Sequence, residues 1–548
     1  MDTALETIIK IGLGLFDKRS SLLSLWQEIA DNFYPERAIF TGDLSLGEDF
    51  AANLMTSYPV LARRDMGNQL GAMLRPSSKD WFHMRTNNYD RLDTESIQWL
   101  EWATKVQKRA MYDRRALFAR ATKEGDHDFT AFGQCCLSVE LNRHATGLLY
   151  RCWHLRDVAW AEDENGEIAM VFRRWKPQVR DINRMWPKTV HPNVKQKLEK
   201  DPLEEHEVWH IVVPAEMCAG DSEKYRTPFV SIYVDIANKH QLEKTGSWDT
   251  IYVIPRWQTV SGSQYAYSPA TVAALPDARL IQAMTRVLLE AGEKAVTPPM
   301  IAVQEAIRSD LAVYAGGVTW VDAEYDERLG EVLRPMTNDK SGIPVGMEMT
   351  QDTRKMISEA FYLNKLALPP PERDMTAYEV GQRVQEYIRQ ALPIFEPMEM
   401  DYNGTACEMT FDRLLRGGAF GDMRAMPEKL RNAEIQFVFE SPLRDATERQ
   451  KGQRFLEAKS MLADAVALDK STVYIVDAKK ALRDVLHGIG VPTEWTRTEG
   501  EVAEIESQQQ EALNQQQMLG AMEQGAKITK DLSDAGMTQG GVPVGAPA

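Results

Sequence analysis

The sequence predicts an α+β, mostly helical fold, on three observations. Apolar residues recur at helical spacing through residues 1–133. Between residues 134 and 267 the texture switches to short β-rich runs set off by turn residues. From residue 268 onward helical periodicity returns, in segments too long for strands. At 548 residues the chain is too long for one core and implies roughly three to four domains, or one subunit of several parts.

In residues 1–133, Leu22, Leu25, Trp26, Ile29 and Phe33 fall on one helical face, and Pro35 ends the segment. A second helix is expected from Phe50 to Leu74, stopped at Arg75-Pro76, and a third from Thr94 to about Lys123. In residues 134–267, strands are expected at Cys136–Leu141, Leu148–Leu155, Ile168–Trp175, Val208–Val213, Val230–Ile236 and Ile251–Trp257. Turns such as Glu164-Asn165-Gly166 and Thr245-Gly246 separate them, which reads as a mostly antiparallel module.

Residues 268–296 read as a long helix, with Ser268 as N-cap and Pro269 at the first helical position. Leu280, Ile281, Met284, Val287, Leu288, Ala291 and Ala295 form its apolar stripe; Arg279, Gln282, Arg286, Glu290 and Glu293 form the polar one. Residues 297–349 are short, glycine-rich and strand-like around Gly316–Val321. A second amphipathic helix is expected over residues 350–368, apolar at Met356, Ile357, Ala360 and Phe361, polar at Arg354, Lys355, Ser358, Tyr362 and Lys365. Two such helices bracketing a small insertion make a stalk with a compact tip.

Pro369, Pro370 and Pro371 then hold an extended backbone. Thr376 and Glu379 stand at capping-box spacing, so the loop 366–375, with Glu372, Arg373 and Asp374 at its centre, is clamped between two ordered elements. Residues 376–445 hold a long helix to about Gly404, bent at Pro393 and Pro397, and a strand at Glu434–Phe439. Residues 446–532 read as helical, with glutamine runs at 508–510 and 515–517. Residues 533–548 are rich in Gly, Pro and Ala, lack periodicity and read as disordered.

The hydrophobic fraction of 43% and charged fraction of 26% are those of a soluble globular chain. The net charge of −16 argues against a protein that coats nucleic acid, but not against a duplex that passes without being held. Five cysteines with no Cys-x-x-Cys read as reduced thiols, and adjacent Cys135-Cys136 as buried structural ones. No signal peptide and no membrane-spanning run is expected.

The chemistry-bearing motifs are mostly missing: no P-loop, no Gly-x-Ser-x-Gly elbow and no Gly-x-Gly-x-x-Gly. One motif is literal, His206-Glu207-Val208-Trp209-His210, the pattern of a zinc hydrolase when it lies on a helix. The following Ile211-Val212-Val213-Pro214 reads as strand instead. There the two histidines stand about 13 Å apart, at a rise of about 3.3 Å per residue, too far for one zinc ion.

Several segments, in one order from residue 22 to 450, resemble the portal proteins of short-tailed bacteriophages, the podovirus-type head-to-tail connectors. They are Trp26-Gln27-Glu28-Ile29-Ala30 through Tyr34-Pro35-Glu36-Arg37, Leu74-Arg75-Pro76 through Trp81-Phe82, and Pro255-Arg256-Trp257 with Tyr265-Ala266-Tyr267-Ser268-Pro269. Met375-Thr376-Ala377-x-Glu379-Val380 and Ile435–Leu443 complete the set. Ala266 departs from the glycine expected there.

The resemblance implies a non-enzymatic ring of about twelve copies around a channel, with wing, stem, clip and crown parts. Residues 1–133 and 134–267 become wing, 268–296 and 350–368 the two stem helices, 297–349 the clip, 366–375 a tunnel loop and 446–532 the crown. Arg308, Tyr314, Trp320 and Arg328 mark the clip as the docking region. Arg354, Lys355, Lys365 and Arg373 are the candidate contacts to DNA. Implied partners are double-stranded DNA in transit, the large terminase motor, a tail adaptor, and the major capsid and scaffolding proteins. No cofactor, metal or membrane is implied. The expected setting is the virion's portal vertex, assembled in the host cytoplasm. The other readings are the zinc hydrolase and a different phage structural protein of the tail or internal head.

Overall fold

The computed structural model describes residues 3–43, 47, 49–76, 80–87, 92–142, 146–218, 226–302, 320, 333–335, 342–366, 398–421, 426–431, 433–439, 458–462, 481–482, 485–486 and 499–535. The chain divides into two compact units. One comprises Met1–His83, Lys105–Phe420 and Phe437–Leu443; the other comprises Met84–Thr104, Gly421–Gln436 and Arg444–Ala548.

The helices of the N-terminal part are α1 (Thr3–Lys18), α2 (Ser20–Phe33), α3 (Tyr58–Leu74), α4 (Thr94–Met111) and α5 (Phe118–Phe132), with a strand β1 (Phe82–Thr86) between α3 and α4. Helix α3 starts at Tyr58 rather than Phe50 because Pro59 has to sit in a first turn, where its missing N–H costs nothing. The expected helix 94–123 is two helices. Leu117 breaks it at φ 58°, and the freed Ala116 carbonyl accepts the backbone N–H of Tyr150, so a tertiary contact fixes the break.

The β-rich module holds two larger antiparallel sheets and a two-stranded pair, Gln258–Thr259 with Ala266–Tyr267. Strands β2 (Cys136–Leu141), β3 (Leu148–Trp153) and β9 (Tyr252–Val253) form one, in the order β3-β2-β9. Strands β4 (Val158–Glu162), β5 (Ile168–Trp175), β6 (Val208–Pro214), β7 (Phe229–Asp235) and β8 (His240–Ser247) form the other, in sequential order. Strand β6 is the central strand. Trp209, Ile211 and Val213 pack on Leu5, Ile8 and Phe16 of α1, whereas Val208 packs on the other face. Both faces are covered, so Val208–Val213 is buried throughout and apolar at every position but His210.

Three expectations fail in this module. Thr245-Gly246 is part of β8, paired with Ser231 and Val230, because an edge strand tolerates glycine. The expected strand at 251–257 shrinks to Tyr252–Val253 after Ile251, at φ 68°. Between β5 and β6 stands an unforeseen helical hairpin, α6 (Val179–Met185) and α7 (Pro192–Lys200), with its own small core of Val179, Ile182, Trp186, Val190 and Val194.

Helix Pro269–Val296 has its expected bounds, and Ser268 Oγ accepts the Thr271 N–H at 3.3 Å as its cap. The second long helix runs Gly342–Ala360, eight residues earlier than expected at its start, since Pro344 fits a first turn. Tyr362, at φ 56°, ends it short of residue 368, before a short helix Leu363–Leu366. Strands Met300–Ala302 and Leu333–Pro335 pair antiparallel between the two long helices in sequence. The helix expected to stop near Gly404 instead passes from a π-helical turn, Met398–Gly404, into Thr405–Arg416. Buried Cys407, Thr410 and Leu414 hold that extension, with Thr410 Oγ1 at 2.6 Å from Tyr150 Oη. Residues 376–397 of that expected helix lie outside the described residues.

The second unit contributes the strand segment before Phe437, an Asp93–Lys429 ion pair at 3.2 Å, and the helix Glu499–Ala535. That helix takes in Ser533-Asp534-Ala535, expected as disordered; residues 536–548 are outside the described set.

Gly133 joins the helical part to the module. It ends α5 at φ 74°, and a Cβ there would lie 2.1 Å from the Tyr267 carbonyl carbon. Left-handed backbone and backbone-to-backbone contact both demand glycine. Gly133→Ala should cost at least about 2 kcal/mol, read as a lowered urea midpoint by tryptophan fluorescence.

Candidate functional site: the long helix pair and its root

Helices 269–296 and 342–360 lie side by side. Gly346 makes the close approach possible, since a Cβ there would stand 2.7 Å from Leu288 Cδ2. Thr350, Thr353 and Ile357 are buried on the second helix, and Thr350 and Thr353 return their hydroxyls to the carbonyls of Gly346 and Met349. Phe361 is buried against Phe33, ring centroids 5.4 Å apart. On the first helix, Ala270, Thr271, Ala274, Leu275, Ala278 and Ile281 are buried and the remainder emerges.

The root of the pair is helix α5. Ser268 Oγ donates to Thr130 O at 2.7 Å, and Thr271 Oγ1 donates to Ala131 O at 2.8 Å. The Ala266 N–H donates to Gln134 Oε1 at 2.9 Å. Gln282, further out, accepts the N–H groups of Met55 and Thr56 at 2.7 and 3.0 Å and donates to the Thr56 carbonyl.

Helix α5 is itself held by two buried carboxylates. Arg37 binds Asp128 through two hydrogen bonds, Nε–Oδ1 3.0 Å and Nη2–Oδ2 2.7 Å. Arg75 pairs with Asp126, donates to Asn403 Oδ1 at 2.6 Å, and stacks over the Tyr402 ring. Burial pushes the Asp126 carboxyl above its usual range, and Arg75 works against that shift. Beside this pair, Gly67, Gly71, Arg75, Tyr112, Thr122 and Lys123 line a cleft of about 410 Å³. His127 accepts from Arg63 Nη1 at 3.1 Å; burial and that guanidinium lower its pKa to about 4. Arg63 in turn lies 3.7 Å from the centroid of the Tyr34 ring.

Among the residues proposed from sequence, Arg354 and Lys355 are exposed neighbours on the second long helix. Arg354 lies 5.7 Å from the Tyr58 ring centroid, and Lys355 is 3.5 Å from Asp352 in an exposed pair. Lys365 lies in the short helix that follows. Trp320 is exposed. Pro369, Pro370, Pro371, Glu372, Arg373, Asp374, Arg308, Tyr314 and Arg328 lie outside the described residues. Sequence reasoning missed the role of Asp126 and Asp128. Their signal is two acids in a helix interior otherwise flanked by Ala121, Phe129 and Phe132.

His206-Glu207-x-x-His210 does not form a helix. His206 precedes β6 and bonds Asp235 Oδ1 at 2.9 Å. Burial opposes ionisation of Asp235, but hydrogen bonds from His206 and Asn238 outweigh it and lower its pKa. His210 lies within β6, fully enclosed between the sheets, and burial lowers its pKa well below the usual range. Arg173 Nε donates to Tyr252 Oη at 2.8 Å, so the Tyr252 hydroxyl donates to His210 Nδ1. His210 Nε2–H then donates to Ser231 Oγ at 2.8 Å. Both ring nitrogens are committed. Among the described residues, no group of three or more His, Cys, Asp or Glu is placed to hold a metal ion.

Two predictions follow from this geometry. His210→Phe should lower stability by about 1–3 kcal/mol through the unpaired Tyr252 and Ser231 hydroxyls, with zinc content by elemental analysis unchanged at background. His127, neutral in the fold, loses stability as pH falls from about 6.5 toward about 4, because only the unfolded chain takes up the proton there. Thermal melts across that window should therefore show a shallower pH slope for His127→Gln.

The helix pair is rooted in a charge-pinned body and leaves apolar side chains open along its outer part. The chain belongs to the bacteriophage head to tail connecting protein family, whose profile matches residues 5–496. It is 22% identical over 444 residues to the probable portal protein of Bordetella phage BPP-1, covering 78% of this chain and 77% of that one. It is 20% identical over 550 residues to the portal protein of Salmonella phage epsilon15, covering 97% and 96%. Among solved structures it aligns with a chain of the native gene transfer agent virion, at TM-score 0.34 and 11% identity, over 77% of this chain and 92% of that one. It also aligns with a chain of the neck of the empty gene transfer agent particle, at TM-score 0.33 and 12% identity, over 82% and 96%.

Proposed function

We propose that the chain is a phage portal subunit whose copies close into a ring of about twelve at one capsid vertex, since a head-to-tail contact with a closing rotation gives a ring. Double-stranded DNA passes through the ring during packaging and ejection. The terminase motor docks first and the tail adaptor later, and capsid and scaffolding proteins surround the ring. Helices 269–296 and 342–360 serve as the stem, the segment between them as the clip, residues 366–375 as the tunnel loop and the C-terminal helices as the crown. The ring is assembled in the host cytoplasm and resides in the virion. No described helix is long and apolar enough to cross a membrane.

The observation that carries this reading is the open half of the helix pair. Val287 is 64% exposed, Leu289 55%, Val296 82%, Val345 57% and Met347 56%. Apolar side chains gathered along two paired helices lose that exposure when neighbouring copies pack beside them, at about 25 cal/mol per Å² removed from water. The task is passage, so the chemistry required is weak. A few cations per subunit, Arg354, Lys355, Lys365 and Arg373, touch phosphates without reading sequence, and a net charge of −16 keeps the contacts brief.

Val287→Asp should cut the ring fraction in light scattering at least tenfold. Its effect on the stability of the single chain should stay within about 0.5 kcal/mol, as for other exposed positions. Rings that form as well as wild type would count against the stem assignment.

A further inference from the structure

The corner between α4 and α5 is positively charged in a chain whose net charge is −16. Residues 105–124 hold seven Lys or Arg against two acids, Asp113 and Glu124. The next acids along α5, Asp126 and Asp128, are buried and held by Arg75 and Arg37. Lys108 pairs with Asp80 at 2.6 Å and Arg120 with Glu124 at 3.2 Å. Asp113 accepts the Arg115 N–H at 2.7 Å and so caps the turn. Arg109, Arg114, Arg115 and Lys123 are exposed, with no ion pair among the described residues.

The neighbouring elements do not cancel this charge. Helix α3 and strand β3 pack on α5. The one acid of α3, Asp65, pairs with Arg64 at 3.1 Å, and β3 carries Arg151 and no acid. Helix Thr405–Arg416 is joined to α4 by a hydrogen bond from Gln107 to the Cys407 carbonyl at 3.0 Å. It pairs Asp412 with Arg416 and Arg413 with Asp249, and adds Glu408. Asp113 and Glu408 thus stand against four open cations and Arg151.

The corner is also held in shape. Leu117, at φ 58°, and the bond from the Tyr150 N–H to the Ala116 carbonyl at 2.8 Å fix the turn. Arg109 lies in the last turn of α4 and Lys123 in the second turn of α5, so the open cations bracket it. Tyr112, Ala119 and Lys123 line one side of the cleft beside Arg75. The first long helix is rooted at the opposite end of α5, about 22 Å away over its 15 residues.

We infer that this corner is a second binding surface for duplex DNA, touching backbone phosphates without reading sequence and separate from Arg354, Lys355 and Lys365. A protein partner would need apolar or aromatic anchors, and within residues 105–124 only Leu117 exposes a large apolar side chain. Naming DNA as the polyanion rests on the portal reading; the positive surface does not.

The test measures binding of the full chain to a labelled mixed-sequence duplex by fluorescence anisotropy. Four phosphate contacts should weaken wild-type binding about a hundredfold between about 50 and 200 mM salt. R109Q/R114Q/R115Q/K123Q should bind at least tenfold more weakly at the lower salt, with the slope of log affinity on log salt flattened by about three and the ring fraction unchanged. R109K/R114K/R115K keeps the charge and should stay within about threefold of wild type. Binding that survives the four glutamines, or that only R354Q/K355Q removes, overturns the inference. Loss in the lysine variant overturns it too, since charge alone should suffice. A wild-type chain that ignores duplex DNA but binds polyglutamate overturns it in favour of an acidic protein partner. DNA binding at the corner by a chain that never closes into rings supports the surface and removes the ring reading; rings that bind no DNA do the reverse.

Discussion

Helix α5 is the constraint on which the rest of the larger unit depends. Two of its carboxylates, Asp126 and Asp128, are buried and are held by Arg75 and Arg37 from two other segments. Those segments are the turn after α2 and the end of α3, so one helix fixes the placement of two others. The C-terminal end of α5 then sets the start of the first long helix through Thr130, Ala131 and Gln134. Removing one partner of a buried pair leaves an uncompensated charge, which typically costs about 3–5 kcal/mol, whereas an apolar pair of similar volume can be neutral. The ion pairs therefore contribute placement more than net stability, and placement is what a helix pair needs if many copies are to present it alike.

The same logic applies to the polar residues buried between the sheets. Arg173, Tyr252, His210 and Ser231 form a linear chain of donors and acceptors, with Arg173 also stacked on Trp153 at 3.7 Å. Such a chain rigidifies the packing of one sheet on the other and commits both ring nitrogens of His210.

Much of the fold is legible in the sequence where local chemistry and tertiary context agree. Ser268-Pro269 marks a helix start unambiguously, and the β-branched Ile211-Val212-Val213 marks a central strand. The misreadings occur where tertiary contact overrides local preference. Leu117 interrupts an apparent helix because the Ala116 carbonyl is needed by β3. Strand β8 has a charged, glycine-containing sequence and is a strand only because β7 supplies its pairing. The α6–α7 hairpin is short and highly charged, and its apolar residues make sense only once Val208 and Leu242 lie beneath them. The site was legible in part. Arg37 and Arg75 stand in segments quoted for their family resemblance, yet their partners on α5 carry no motif, since an ion pair between residues 91 or 51 positions apart leaves no local pattern.

The central claim is that the paired helices surround a passage. Electron cryo-microscopy of the assembled full chain tests it directly. The account predicts a closed ring with an axial hole wide enough for duplex DNA, and helices 269–296 and 342–360 of every copy encircling that hole. A ring without a hole, or one with these helices on its outer rim, would contradict it.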